Sequence, residues 1–237
     1  MRGLLPILRW ARSYRIVLGF VLMSVGWMTH CTHAAPVNPA AYLSPLEKDV
    51  VQEINVARTQ PQKYVAFLAQ LRPHYVGTTL QHPGDIASAT APGGPLITHE
   101  GVKAVEEAIA FLRATSPLPP LAISRGMSLG AKELVKDQGQ TGGMGHQGSD
   151  GSYSDIRVNR YGCWQGRMAE NIAYGVASAR GMIMTLSIDD GVPGRGHRHN
   201  LFDLQSHVVG VACGPHRTWQ IVCVMTFAAG YLERTMQ

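Results

Sequence analysis

No run of lysine or arginine interrupts the chain beyond its first fifteen residues, and that absence decides how its net charge of +5 is read. Arg2, Arg9, Arg12 and Arg15 all lie in residues 1–34, which hold no Asp or Glu; without that segment 17 Lys and Arg stand against 16 Asp and Glu. A nearly neutral chain lacks the clustered basic face that nucleic-acid binding needs, so nucleic acid is excluded as a partner. Long apolar runs are lacking too. The longest, Ile16 to Met28, has about 13 residues where a spanning helix needs roughly 20. Four arginines precede it and Thr32-His33-Ala34 follows, so residues 1–34 read as a secretory signal peptide, with no stable membrane span after cleavage. A membrane anchor and a lipoprotein anchor at Cys31 are the alternatives, the latter opposed by His30, which stands where such signals carry a small residue.

Cysteine is scarce, with four in 237 residues. Three of them, Cys163, Cys213 and Cys223, follow the signal peptide, and in an oxidising compartment an odd count permits at most one internal bridge. Cys213 and Cys223 flank a turn-like segment between two apolar runs and are the expected disulfide, which leaves Cys163 free, buried or intermolecular. Familiar catalytic signatures are missing or misplaced as well. There is no H-E-x-x-H, and the one G-x-S-x-G, Gly126 to Gly130, falls inside an expected helix rather than at its entrance, so nothing supports a zincin protease or a nucleophile elbow. Gly143 to Gly148 satisfies G-x-G-x-x-G, but a helix precedes it and no βαβ unit surrounds it, which removes dinucleotide binding. Ser149, Ser152, His146 and Asp150 are neighbours in one tight loop and make a poor triad.

What remains after residue 34, about 203 residues, suffices for one well-buried domain. Residues 35–45 read as a linker, 46–230 as the domain and 231–237 as a tail. Ser44-Pro45-Leu46-Glu47 has the form of a capping box with proline at the first helical position. Leu46, Val50, Val51, Ile54 and Ala57 then recur at helical spacing until Gln60-Pro61, and a second short helix carries Tyr64, Phe67, Leu68 and Leu71. Residues 73–98 show no periodicity and read as a functional loop or mobile insertion. Thr98 is placed to cap the next helix, whose stripe is Val102, Val105, Ile109 and Leu112, and another helix runs from about Ser124 to Gln138. Ser206 to Cys213 and Thr218 to Ala228 read as two strands joined through Gly214-Pro215. Helices first and an antiparallel hairpin last imply an α+β layered domain.

Three polar residues stand out. His146 lies in a Gly-rich loop, Glu170 in an expected turn and His197 at a strand entrance; two imidazoles and a carboxylate are the usual ligands of an open zinc site. Spacing alone favours the plainer reading, in which His146 and His197 are loop residues bonded to nearby backbone and Glu170 accepts amide protons. His199 is expected to be exposed, and Asn171 and Arg198 to tie loops to backbone.

The segments Glu53 to Pro61, Gly145 to Ser152, Ala169-Glu170-Asn171-Ile172, and Gly196-His197-Arg198-His199-Asn200-Leu201 with Val209-Gly210-Val211 resemble, in order, those of the CAP superfamily. This is the group of cysteine-rich secretory, antigen and pathogenesis-related proteins, also called the SCP domain, here in a bacterial or microbial form. The resemblance runs from about Leu46 to Ala229. It implies a three-layer α-β-α sandwich with a cleft lined by two His and two acids, which fall on His146, Glu170, His197 and Asp189, with Asp190 as the alternate for the last. Leu186 replaces the family's aromatic residue before that acid, and residues 72–97 are an addition to the minimal domain, placed to cover part of the cleft. The function implied is a secreted, non-enzymatic module that binds a divalent metal, zinc for example, and a small-molecule, lipid or protein ligand. The alternatives are a metal-dependent hydrolase with Glu170 as general base and a structural protein without ligand.

Overall fold

A computed structural model describes residues 41–234; the expected signal peptide, Cys31, residues 35–40 of the linker and residues 235–237 of the tail lie outside the described residues. The first helix, α1 (Pro45–Thr59), begins as its sequence dictates. The Ser44 hydroxyl accepts the Glu47 N–H, the Glu47 carboxylate accepts the Ser44 N–H at 2.7 Å, and Pro45 opens the first turn. Four further long helices follow: α2 (Pro61–Ala69), α3 (Val102–Ala114), α4 (Arg125–Thr141) and α6 (Ala179–Ile188), with the short α5 (Ser154–Asn159) and α7 (Gly196–Leu201) between and after them.

The main sheet has the order β4-β6-β7-β5, built from β4 (Ala122–Ile123), β5 (Gly162–Tyr174), β6 (Val208–His216) and β7 (Gln220–Glu233). β6 and β7 form the expected antiparallel hairpin, while β4 pairs in parallel with β6. Alternate residues of a strand face opposite ways. Cys223, Met225 and Phe227 therefore join the core of α1, α2, α3 and α6, and Val222 and Val224 meet Ala131, Leu134 and Val135 of α4. The three-layer α-β-α sandwich follows from that alternation. Gly210 lets α4 approach closely, since a Cβ there would lie 2.4 Å from the Met127 carbonyl carbon.

Cys213 and Cys223 stand opposite each other in the hairpin and form the expected disulfide. Cys163 is also disulfide-bonded, which corrects the expectation of a free or intermolecular thiol. Gly214-Pro215 does not turn the chain: β6 continues to His216, and the turn falls at residues 217–219. Thr98 does not cap α3, whose N-cap is Gly101 (φ 65); the Thr98 hydroxyl instead donates to the Thr78 carbonyl at 2.7 Å. That bond helps to shape residues 75–97 into a small antiparallel sheet of three two-residue strands, β1 (Tyr75–Val76), β2 (Thr79–Leu80) and β3 (Leu96–Ile97). Two-residue strands are too short to leave a period in the sequence.

The inserted segment is pinned against the main domain. Ala89 N–H donates to the Gly175 carbonyl at 2.6 Å, Ser178 Oγ to the Asp85 carbonyl at 3.1 Å, and both Asp190 carboxylate oxygens accept backbone N–H groups, from His99 and Glu100.

Candidate functional site

His146 sits in the loop after α4. Gly142 ends that helix in the left-handed conformation (φ 77) that glycine adopts without steric cost. The Gln138 side chain then donates to the Gly145 carbonyl at 2.6 Å, and the Tyr174 hydroxyl accepts the Gly145 N–H at 2.9 Å while donating to Gln138 at 2.8 Å. Burial pushes the Tyr174 pKa up, which keeps the hydroxyl protonated as a donor. His146 Nδ1 lies 2.9 Å from Glu170 Oε1, and the other Glu170 oxygen accepts from Arg157 Nη2 at 2.7 Å. Arg157, on α5, also donates to the carbonyls of His146 and Ser152. One buried guanidinium thus holds both the loop that carries the imidazole and the acid that faces it.

The second pair forms at the end of α6. Asp189 is the left-handed C-cap (φ 56), and its Oδ2 accepts the N–H groups of His197 at 2.9 Å and Arg198 at 3.2 Å, which starts α7. Its Oδ1 lies 2.7 Å from His197 Nδ1. With each Nδ1 turned to a carboxylate, hydrogen bonding assigns the proton of the neutral ring to Nδ1 and leaves the Nε2 lone pair outward. Asn171, next to Glu170 on β5, donates to the His197 carbonyl at 2.9 Å and accepts from Asn200, so the two pairs are tied across this edge strand.

Several expectations change here. Glu170 is in mid-strand and not in a turn, because β5 was not apparent in the sequence. His197 lies on a helix, so His199 points elsewhere; it is exposed and meets Phe111 edge-on at 5.9 Å. The alternate acid, Asp190, is committed to the inserted segment. Arg198 donates to the carbonyls of Ser187 and Ile188, the loop-tying role expected of it.

The two histidine–carboxylate pairs resemble metal-binding histidines in one respect only. Carboxylate-backed imidazoles are the usual arrangement of metal-binding histidines. Direct ligation by the acids does not fit, since every oxygen of Glu170 and Asp189 already has a partner, and among the described residues no group of three or more His, Cys, Asp or Glu is arranged to hold a metal.

Beside the second pair opens a pocket of about 330 Å³. Ile86, Leu96 and Thr98 of the inserted segment form one wall, Ala173 and Val176 at the end of β5 and Leu186 and Ile188 of α6 another; Asp189 and His197 line it, and His146 and Glu170 do not. Part of its apolar lining comes from the segment that showed no sequence period.

The sequence profile of the CAP family, the cysteine-rich secretory protein family, matches residues 106–227, just over half of the chain. The chain belongs to the CAP family. Among solved structures it is similar to an extracellular SCP-domain protein from Bacillus anthracis, at 20% identity and a TM-score of 0.39, over 52% of this chain and 38% of that one. It is also similar to an outer surface protein from Borrelia burgdorferi, at 17% identity and a TM-score of 0.41, over 56% and 91%. A third is a cysteine-rich secretory protein from Staphylococcus aureus, at 14% identity and a TM-score of 0.33, over 54% and 38%. The chain thus spans 38% of the length of the first and third of these proteins. No curated protein matches it significantly.

Within this CAP domain the N-terminal motif is architectural. Arg58, fully buried, donates to the carbonyls of Pro119, Leu201, Asp203 and Ser206, and Asn55 clamps both the N–H and the carbonyl of Leu121. Sequence reasoning missed Arg157 and Arg195. Arg195 bonds Glu100, Glu107 and the Asp189 carbonyl, and holds the Glu100 carboxyl down at about 2. An isolated arginine carries no sequence signal that separates a buried clamp from a solvated charge. Among the described residues no helix is long and apolar enough to cross a membrane.

Proposed function

We propose that the protein is a secreted CAP-domain binding module, with the apolar pocket beside the His197–Asp189 pair as its ligand site. The observation that carries this reading is the placement of one oriented imidazole in a mostly apolar wall: a concave apolar space with a few fixed polar groups is the usual form of a small-molecule site. Export rests on the four arginines, the short apolar run and the small-residue pattern that follows it. The test is a thermal melt of the secreted product with and without a saturating apolar probe. Linkage predicts a rise equivalent to about 2.7 kcal/mol at a hundredfold excess over Kd, lost when Ile97 and Met144 at the exposed rim are both changed to Asp. An unchanged melt across a probe panel would overturn the reading.

The metal reading would need the Nε2 atoms of His146 and His197 to share an ion such as zinc, which would supply Lewis-acid polarisation, and it competes with the pocket's ligand for the His197 Nε2 lone pair; among the described residues no group of three or more ligand residues is arranged to hold a metal. The chain's own part is to fix those rings through Glu170 and Asp189. The hydrolase reading employs the same residues and requires Glu170 as a base free to take a proton. Both oxygens of that carboxylate are already engaged, by His146 and by the buried Arg157, which favours the binding reading.

A further inference from the structure

The pocket's chemistry narrows its ligand. At about 330 Å³ it is of the size of a small-molecule site and has room for a compact ring system. Its polar rim is largely committed. The Thr98 hydroxyl donates to Thr78, both Asp190 oxygens accept backbone N–H groups, and Tyr174 is bonded to Gln138 and Gly145. His197, whose side chain is 26% exposed, makes no hydrogen bond through Nε2 to the described residues, and in the same wall the buried Oγ1 of Thr185 has no partner. Buried polar groups without partners are rare enough to call for an explanation.

The direction of the missing bond is set by the tautomer. His197 Nδ1 faces the Asp189 carboxylate at 2.7 Å, so Nε2 of the neutral ring accepts and does not donate. At His197 Nε2 a ketone or ether would set acceptor against acceptor, and an acid would bring a charge beside Asp189 and Asp190, while the Thr185 hydroxyl can meet a donor or an acceptor. We propose that the pocket binds a compact apolar alcohol, whose carbon skeleton fills the space between the inserted segment and α6 and whose hydroxyl donates to His197 Nε2. Ile97 and Met144, 80% and 57% exposed, give the mouth an apolar rim for entry. The inference rests on the reading that this pocket is a ligand site.

The test compares borneol with camphor, nearly isosteric molecules that differ in a hydroxyl donor against a carbonyl acceptor, by calorimetric titration of the secreted protein at pH 7.5 in EDTA. The expected result is borneol binding about 3- to 10-fold tighter, the range of one net hydrogen bond. His197→Asn keeps a side-chain N–H for Asp189 and removes Nε2; it should bring borneol down to the level of camphor and leave camphor unchanged. Equal affinities, or camphor the tighter, would overturn the alcohol assignment and leave the pocket as a ligand site. Binding of neither would overturn both. If His197→Asn does not fold, the wild-type comparison still decides.

Discussion

Glu170→Gln should destabilise this protein by an amount that its geometry fixes, whatever the site does. The Glu170 side chain is 3% exposed and its ion-pair partner Arg157 is 2% exposed, at 2.7 Å. Removing one partner of a buried ion pair leaves the other charge uncompensated and costs about 3–5 kcal/mol. Glutamine keeps the volume and one acceptor oxygen for Arg157, whose Nη1 retains two backbone carbonyls, so the expected loss is about 2–4 kcal/mol. For a domain of this size each kcal/mol moves Tm by about 2–4 °C, so the variant should melt about 4–15 °C lower by circular dichroism. His146→Ala is the control: its side chain is 47% exposed, and losing its half of the pair should cost under about 1 kcal/mol. A Glu170→Gln variant that melts within about 2 °C of wild type would refute the claim that this acid is first an anchor for Arg157.

Further outcomes are fixed in the same way. Glu100 is held at about 2 by Arg195, below its ordinary 4.5. A depressed carboxylate stabilises the fold above its unfolded value, and that contribution is lost as pH falls through the folded one. Melting temperature should therefore drop between about pH 4.5 and 2, and Glu100→Gln should start lower and fall less over that window; equal slopes would contradict it. Gly181→Ala would set a Cβ 1.8 Å from the Asp85 carbonyl oxygen and push the inserted segment from α6, so it should cost about 1–3 kcal/mol and weaken probe binding; a stable variant with unchanged affinity would show that the segment yields. Zinc titration at pH 7.5 tests the metal reading: saturable binding lost in His146→Ala/His197→Ala would support it, and no binding to the wild type would retire it.

The fold was legible where local chemistry and burial agree. Ser44, Pro45 and Glu47 announce α1, and the stripe of Val105, Ile109 and Leu112 announces α3, because each element buries one face at a regular period. β5 was not legible: its buried residues sit at one end, and a bulge between Gln165 and Met168 breaks its alternation. His146, Glu170 and His197 stood out by residue type and Asp189 came from motif resemblance, and their pairing into two histidine–carboxylate units came from the structure, since strand position and helix capping decide which nitrogen meets which oxygen. Arg157 and the pocket wall were invisible, because a single arginine and three two-residue strands have no period to detect.

The account turns on the orientation of the two imidazoles. Long-range proton–nitrogen correlation NMR of the secreted protein at pH 8 reads the tautomer of each histidine directly. The account predicts the Nδ1-protonated form at His197 and His146, with Nε2 a free acceptor. An Nε2-protonated His197 would contradict it, since the Asp189 carboxylate could not then hold the ring as described and the pocket would present a donor to its ligand.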